Sequence, residues 1–108
     1  MFFKKVLTWE NVVAEYEKNP RDVKTIPFNQ NGLWFYVHVE DGDVYVTDAE
    51  HHSESSRLNK PIKLKKDEFD EILAIYFRRK KGEKISQEAK KITYHQVYWY
   101  GIFADMGM

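Results

Sequence analysis

The stretch from Leu33 to Asp48, LWFYVHVEDGDVYVTD, constrains the fold of this chain more than any other part, because it has the pattern of a β-hairpin. Two runs rich in valine and aromatic residues flank the dipeptide Asp41-Gly42. Both central positions of a two-residue hairpin turn need a positive φ, which Gly and Asp tolerate best. The sequence therefore predicts two antiparallel strands joined at Asp41-Gly42.

This turn also predicts the register of the two strands, since loop length fixes which residues lie opposite each other. The predicted pairs are Glu40 with Asp43, Val39 with Val44, His38 with Tyr45, Val37 with Val46, and Phe35 with Asp48.

Side chains alternate across a strand, so the hairpin has two faces. The valine face consists of Leu33, Phe35, Val37, Val39, Val44 and Val46. The aromatic face consists of Trp34, Tyr36, His38, Glu40, Asp43, Tyr45 and Thr47. A hairpin alone is marginally stable in water, so we expect other elements to cover the valine face. The aromatic face is either buried as well or exposed as a binding surface.

Two amphipathic helices are predicted outside the hairpin. Thr8 has the character of an N-cap, and the helix that follows ends before Pro20. Asp67 is the expected cap of a second helix over about 68–81, which has acidic residues in its first turn, basic residues in its last turn and Gly82 after it. This second helix is the expected cover of the valine face.

The last segment is dense in aromatic residues and apolar nearly all round, which predicts burial on more than one side. Ser86 is a candidate cap, and Thr93 and Gln96 have the spacing of a capping box. Either one helix spans about 87–105 or two helices meet at Thr93. The predicted fold class is α+β, in one globular domain over 1–108: a small antiparallel sheet centred on the 33–48 hairpin, packed with one N-terminal and two or three C-terminal helices.

Composition narrows the functional classes. The chain has no cysteine, which excludes disulfides and Cys-based zinc sites. No apolar run approaches the ~20 residues of a membrane span, and the start lacks the pattern of a signal peptide. We expect a cytoplasmic protein with no membrane partner and no cofactor.

Charge is divided unevenly along the chain although the net charge is zero. Residues 1–56 hold 5 basic and 10 acidic side chains, whereas residues 57–108 hold 12 and 7. The two halves either attract each other within the fold, or the basic half attracts an anionic partner. The leading hypothesis is a small binding module that contacts nucleic acid. Its candidate residues are Arg57, Lys63, Lys65, Arg78, Arg79, Lys81, Lys90 and Lys91.

Two other hypotheses remain. The aromatic patch of Trp34, Tyr36 and Tyr45 suits contact with a protein partner or with a second copy of the chain. His51 and His52, with nearby carboxylates, suit a metal-dependent hydrolase. Their spacing matches no metal signature, and no nucleophile elbow is present, so the sequence predicts no catalytic residue and no metal site.

Overall fold

The computed structural model describes residues 7–26, 32–56, 58 and 60–108. Its strands form one antiparallel sheet in the order β1-β2-β3-β4. This is the predicted α+β architecture. The elements are α1 (Trp9–Lys18), β1 (Arg21–Lys24), β2 (Trp34–Glu40), β3 (Asp43–Asp48), β4 (Ile62–Leu64), a 3₁₀ turn (Lys66–Glu68), α2 (Phe69–Lys80), α3 (Ser86–Ile92) and α4 (Gln96–Asp105).

The hairpin of β2 and β3 is confirmed together with its register. All five predicted pairs are observed, and Tyr36 lies opposite Thr47 between them. The turn residues Asp41 and Gly42 have φ of 51° and 80°. Positive φ at both positions is what a two-residue turn of this kind requires, so the local chemistry of Asp-Gly sets the centre of the sheet.

The valine face is buried at Phe35, Val37, Val44 and Val46, whereas Val39 is half-buried and Leu33 is 44% exposed. The helices that cover it differ from the one expected. Helix α1 packs on β2 and β3, and α4 packs on β1, whereas α2 makes its main contacts with α4 and α3. The prediction that the helix over 68–81 covers the valine face is therefore wrong. Helix α4 is apolar on all sides and fits between two layers, whereas α2 has a charged side that suits the outside of the molecule.

A cluster of aromatic rings joins these helices. The ring centroids of Trp9 and Trp99 are 6.0 Å apart, and those of Phe69 and Phe103 are 5.7 Å apart in an edge-to-face arrangement. Such ring pairs contribute about 0.5–1.5 kcal/mol each beyond the area they bury. The aromatic content of the C-terminal segment is thus largely core.

The helix ends agree with the sequence in part. The Asn11 N–H donates to the Thr8 hydroxyl at 3.1 Å, which confirms Thr8 as a cap. Asp67 is not a cap, because it lies within the 3₁₀ turn and the residue before α2, Glu68, makes no capping hydrogen bond. Ser86 is the first residue of α3 rather than its cap.

The C-terminal segment forms two helices, α3 and α4, which decides between the two predicted arrangements. Thr93 separates them with an extended backbone, φ −157° and ψ 149°. Its hydroxyl accepts a hydrogen bond from the His95 N–H at 3.0 Å. None of the described helices combines the length and the apolar character needed to cross a membrane.

Candidate functional site

The aromatic face of the hairpin lies on the side of the sheet away from the packed valine face. Its rings are half-buried and form a row: the Tyr36 and His38 centroids are 5.8 Å apart, and those of His38 and Tyr45 are 5.6 Å apart. Of the predicted aromatic patch, Tyr36 and Tyr45 thus share one surface with His38.

Trp34, the third predicted member of that patch, is engaged by the loop after β3. The His52 ring stacks on it with a centroid distance of 3.6 Å and an interplanar angle of 12°. The backbone of the loop also pairs with Trp34, since its N–H donates to Glu54 and its carbonyl accepts from Ser56. Trp34 therefore anchors a loop, and its ring stacks on His52.

Asp22 on β1 holds the same loop in place. Its carboxylate accepts hydrogen bonds from the Glu50 N–H at 2.8 Å and the His51 N–H at 2.7 Å, and lies 2.7 Å from His52 Nδ1. Burial alone would raise the pKa of Asp22, but these hydrogen bonds outweigh burial and leave the pKa below its ordinary value. Asp22 was not singled out in the sequence.

A concavity of about 690 Å³ lies beside the row of rings. We call it the acidic concavity, because the acidic residues Glu40, Asp48 and Glu50 line it. The His38 Nδ1 atom is buried and has no hydrogen-bond partner among the described residues. The lining residues are Tyr36, His38, Glu40, Thr47, Asp48, Ala49, Glu50, Leu58, Lys60 and Pro61.

A second concavity, of about 640 Å³, lies where α3 and the break before α4 meet the segment between β4 and α2. We call it the basic groove, because Lys65, Lys90 and Lys91 all line it. Tyr94 and His95 from the helix break line it as well, and Tyr94 is 85% exposed. Three candidates from the sequence therefore converge here.

The other basic candidates lie elsewhere. Lys63 Nζ is 3.2 Å from an Asp43 carboxylate oxygen on the sheet. Arg78 donates to both oxygens of Glu88, at 2.5 and 3.0 Å, and these bonds raise its pKa. Arg79 donates to the Ile26 carbonyl and lies over the Tyr100 ring. Lys81 is exposed near the end of α2, and Arg57 lies outside the described residues.

Helix α4 is unsuited to insertion into a nucleic-acid groove. The run from Trp99 to Phe103 is buried in the core.

The structure gives no support to a metal site at His51 and His52. Within the described ranges, no group of three or more His, Cys, Asp or Glu is placed to hold a metal ion.

Tyr94 and His95 are site residues that the sequence did not indicate. The capping box predicted at Thr93 and Gln96 puts both residues in the first turn of a helix. In the structure α4 begins only at Gln96 and has no side-chain cap, so Tyr94 and His95 lie in the connection after α3.

Comparison with known proteins finds no matching family model, no similar curated protein and no similar solved structure.

Proposed function

We propose that this protein binds single-stranded nucleic acid in the basic groove. The observation that supports this proposal is the convergence of Lys65, Lys90 and Lys91 beside the exposed ring of Tyr94. Proteins that bind single strands combine cationic side chains along the backbone with an aromatic ring on which a base stacks. The groove has both parts within one surface.

The chemistry of the groove favours phosphate contacts that do not depend on sequence. Lysine ammonium groups attract phosphate as point charges, whereas readout of a base edge needs fixed hydrogen-bond geometry. One carboxylate, that of Glu68, also lines the groove, and it accepts a hydrogen bond from the Trp99 indole N–H at 3.3 Å. Glu68 offsets part of the positive charge, so we expect weak binding.

Salt dependence is the first test. A labelled single strand of mixed sequence is titrated with the protein, and fluorescence anisotropy is measured across a series of salt concentrations. With three lysines in the groove, the logarithm of the binding constant should fall against the logarithm of salt concentration with a slope of about −2. The duplex of the same sequence should bind more weakly, since its bases are not free to stack on Tyr94.

Matched variants distinguish binding in the basic groove from binding to basic residues elsewhere on the surface. The double variant Lys90→Gln/Lys91→Gln should lower the magnitude of the salt slope by roughly 1, and Tyr94→Ala should weaken binding by roughly 1–3 kcal/mol. Lys81→Gln/Lys84→Gln removes the same charge at exposed positions near the far end of α2 and should change little. Absence of binding at low salt, or equal losses in both double variants, would contradict the proposal.

A further inference from the structure

The floor of the acidic concavity is aromatic. Tyr36 and His38 both line it, and their rings lie nearly parallel, with an interplanar angle of 27°. A tyrosine ring presents a negative face, which attracts a cation placed over it. The row of rings is therefore a surface on which a cationic group can rest.

The rim of the concavity is acidic. Glu40, Asp48 and Glu50 line it with one lysine, Lys60, among the described residues. Asp48 Oδ1 already accepts a hydrogen bond from the Leu58 N–H at 2.6 Å, and Glu40 Oε1 lies 3.5 Å from His38 Nε2. Burial raises the pKa of the Tyr36 hydroxyl, and the negative charges of Glu50 and Asp22 raise it further. These charges give the floor a negative potential, which adds to the attraction of the ring for a cation.

The carboxylate of Glu50 is available to a ligand. Its backbone N–H is held by Asp22, which fixes the position of the residue, while the residue itself is exposed. Among the described residues, no ion pair involves the Glu50 carboxylate. Glu50 is thus a fixed anion beside an aromatic floor.

We infer that the acidic concavity docks a lysine or arginine side chain from a peptide segment of a partner protein. The cationic group lies over the Tyr36 ring and pairs with Glu50, while Asp48 and Glu40 add to the attraction. Charge complementarity selects this occupant, since a nucleic acid would meet three carboxylates here. The acidic concavity and the basic groove are lined by different residues, so this docking site is independent of the nucleic-acid proposal.

The experiment uses a short capped peptide of alternating glycine and arginine, with a glycine–glutamate peptide of equal length for comparison. Each is titrated into isotopically labelled protein, and amide chemical shifts are followed by NMR. We expect the arginine peptide to shift the resonances of β2 around Tyr36 and His38, and added salt to weaken the effect. The glutamate peptide should cause no shift there.

Variants then identify the contacts. Glu50→Gln and Tyr36→Leu should each weaken arginine-peptide binding by roughly twofold to fivefold, since the ion pair and the ring contact are both near the surface. Tyr36→Phe keeps the ring and should bind like the unmodified protein. Glu17→Gln makes the same charge change on the exposed side of α1, across the sheet, and should also bind normally.

Three outcomes would overturn the inference. The first is no arginine-peptide binding at low salt, and the second is binding by Glu50→Gln and Tyr36→Leu that is as tight as binding by the unmodified protein. The third is self-association of the protein that Glu50→Gln abolishes while the peptide fails to bind. The last result would identify a second copy as the occupant. The Lys90→Gln/Lys91→Gln protein should bind the peptide normally, so failure here and failure of the nucleic-acid proposal are distinguishable.

Discussion

At the scale of single residues, Asp22 has the clearest effect on the geometry of the aromatic face. Its side chain is 1% exposed, accepts hydrogen bonds from two backbone N–H groups and lies within hydrogen-bonding distance of the His52 ring. We expect Asp22→Asn to lower the free energy of unfolding by about 1–3 kcal/mol, because the hydrogen bonds lose their charged acceptor. Urea denaturation followed by tryptophan fluorescence measures the loss.

The matched control is Asp43→Asn, which removes the same charge from an ion pair with Lys63 whose side chains are 39% and 54% exposed. Exposed pairs of this kind contribute about 0–1 kcal/mol, so this variant should lose less. Equal losses in the two variants would contradict the structural role of Asp22.

The unmodified protein and the Asp22→Asn variant also test whether the pKa of Asp22 is lowered in the folded state. A carboxyl group whose pKa is lower in the folded state stabilises the fold above its unfolded pKa, and this stabilisation is lost as the pH falls through the folded value. The stability difference between the two proteins should therefore be full at neutral pH and shrink as the pH falls below the ordinary value of 3.8. A difference that is constant with pH would exclude this linkage.

No local pattern in the sequence predicts this role of Asp22. Its partners lie 28–30 positions further along the chain, and their approach depends on β1 pairing with β2. The cap at Thr8 was predictable because its donor, Asn11, lies only three residues away. Thr8 was predictable and Asp22 was not, because only the hydrogen bond of Thr8 joins residues that are close in the sequence.

At the scale of elements, the hairpin was predictable to the residue, whereas the choice of covering helix was not. Turn chemistry at Asp41-Gly42 fixes the pairing locally, so pattern and structure agree. Two helices with apolar faces could each have covered the valine face. Which helices lie against the sheet depends on how the sheet and all the helices pack together, including the close approach of α4 to β1 at Gly101.

Gly101 permits that approach. A Cβ atom added there would lie 2.8 Å from the Lys24 carbonyl oxygen and 3.0 Å from Phe35 Cζ. In an unobstructed helix interior, alanine is favoured over glycine by about 1 kcal/mol. We expect the opposite sign for Gly101→Ala, a loss of about 1–2 kcal/mol, because α4 must move away from the sheet. Thermal unfolding by circular dichroism measures it.

The control is Ala104→Gly, at an exposed position of α4, which measures the effect of helix propensity on stability without a nearby contact to the sheet. This control should lose up to about 1 kcal/mol through propensity alone. If Gly101→Ala instead gained stability by a similar amount, the sheet and α4 would not be in close contact at this point.

At the scale of the whole molecule, the opposite charges of the two halves are used in two ways. Lys63 pairs with Asp43, and Lys66 with Glu10, so some basic residues of the second half meet acidic residues of the first. Lys65, Lys90 and Lys91 instead share the basic groove. Both readings of the charge pattern thus have residues that fit them, which explains why the sequence alone left them open.

A single carboxylate, that of Asp105, joins the first helix, the first strand and the last helix. The hydroxyl of Tyr16 donates to Asp105 Oδ2 at 2.6 Å, and Arg21 donates to the same oxygen through Nε at 3.0 Å and Nη2 at 2.6 Å. Tyr16 is fully buried. Burial raises the pKa of Tyr16, and Asp105 raises it further, so the hydroxyl keeps its proton and acts as donor.

Asp105→Ala should therefore lower the free energy of unfolding by about 2 kcal/mol, because it leaves the buried Tyr16 hydroxyl without an acceptor and removes the partner of Arg21. Glu15→Ala removes the weaker contact of Arg21, at 3.3 Å between side chains about one-third exposed, and should cost less than about 1 kcal/mol. Tyr16→Phe combined with Asp105→Ala should cost less than the two losses added together, since the hydroxyl that needs an acceptor is then absent. Additive losses in that double variant, measured by urea denaturation, would mean that Tyr16 and Asp105 act independently and that the two ends of the fold are joined by packing alone.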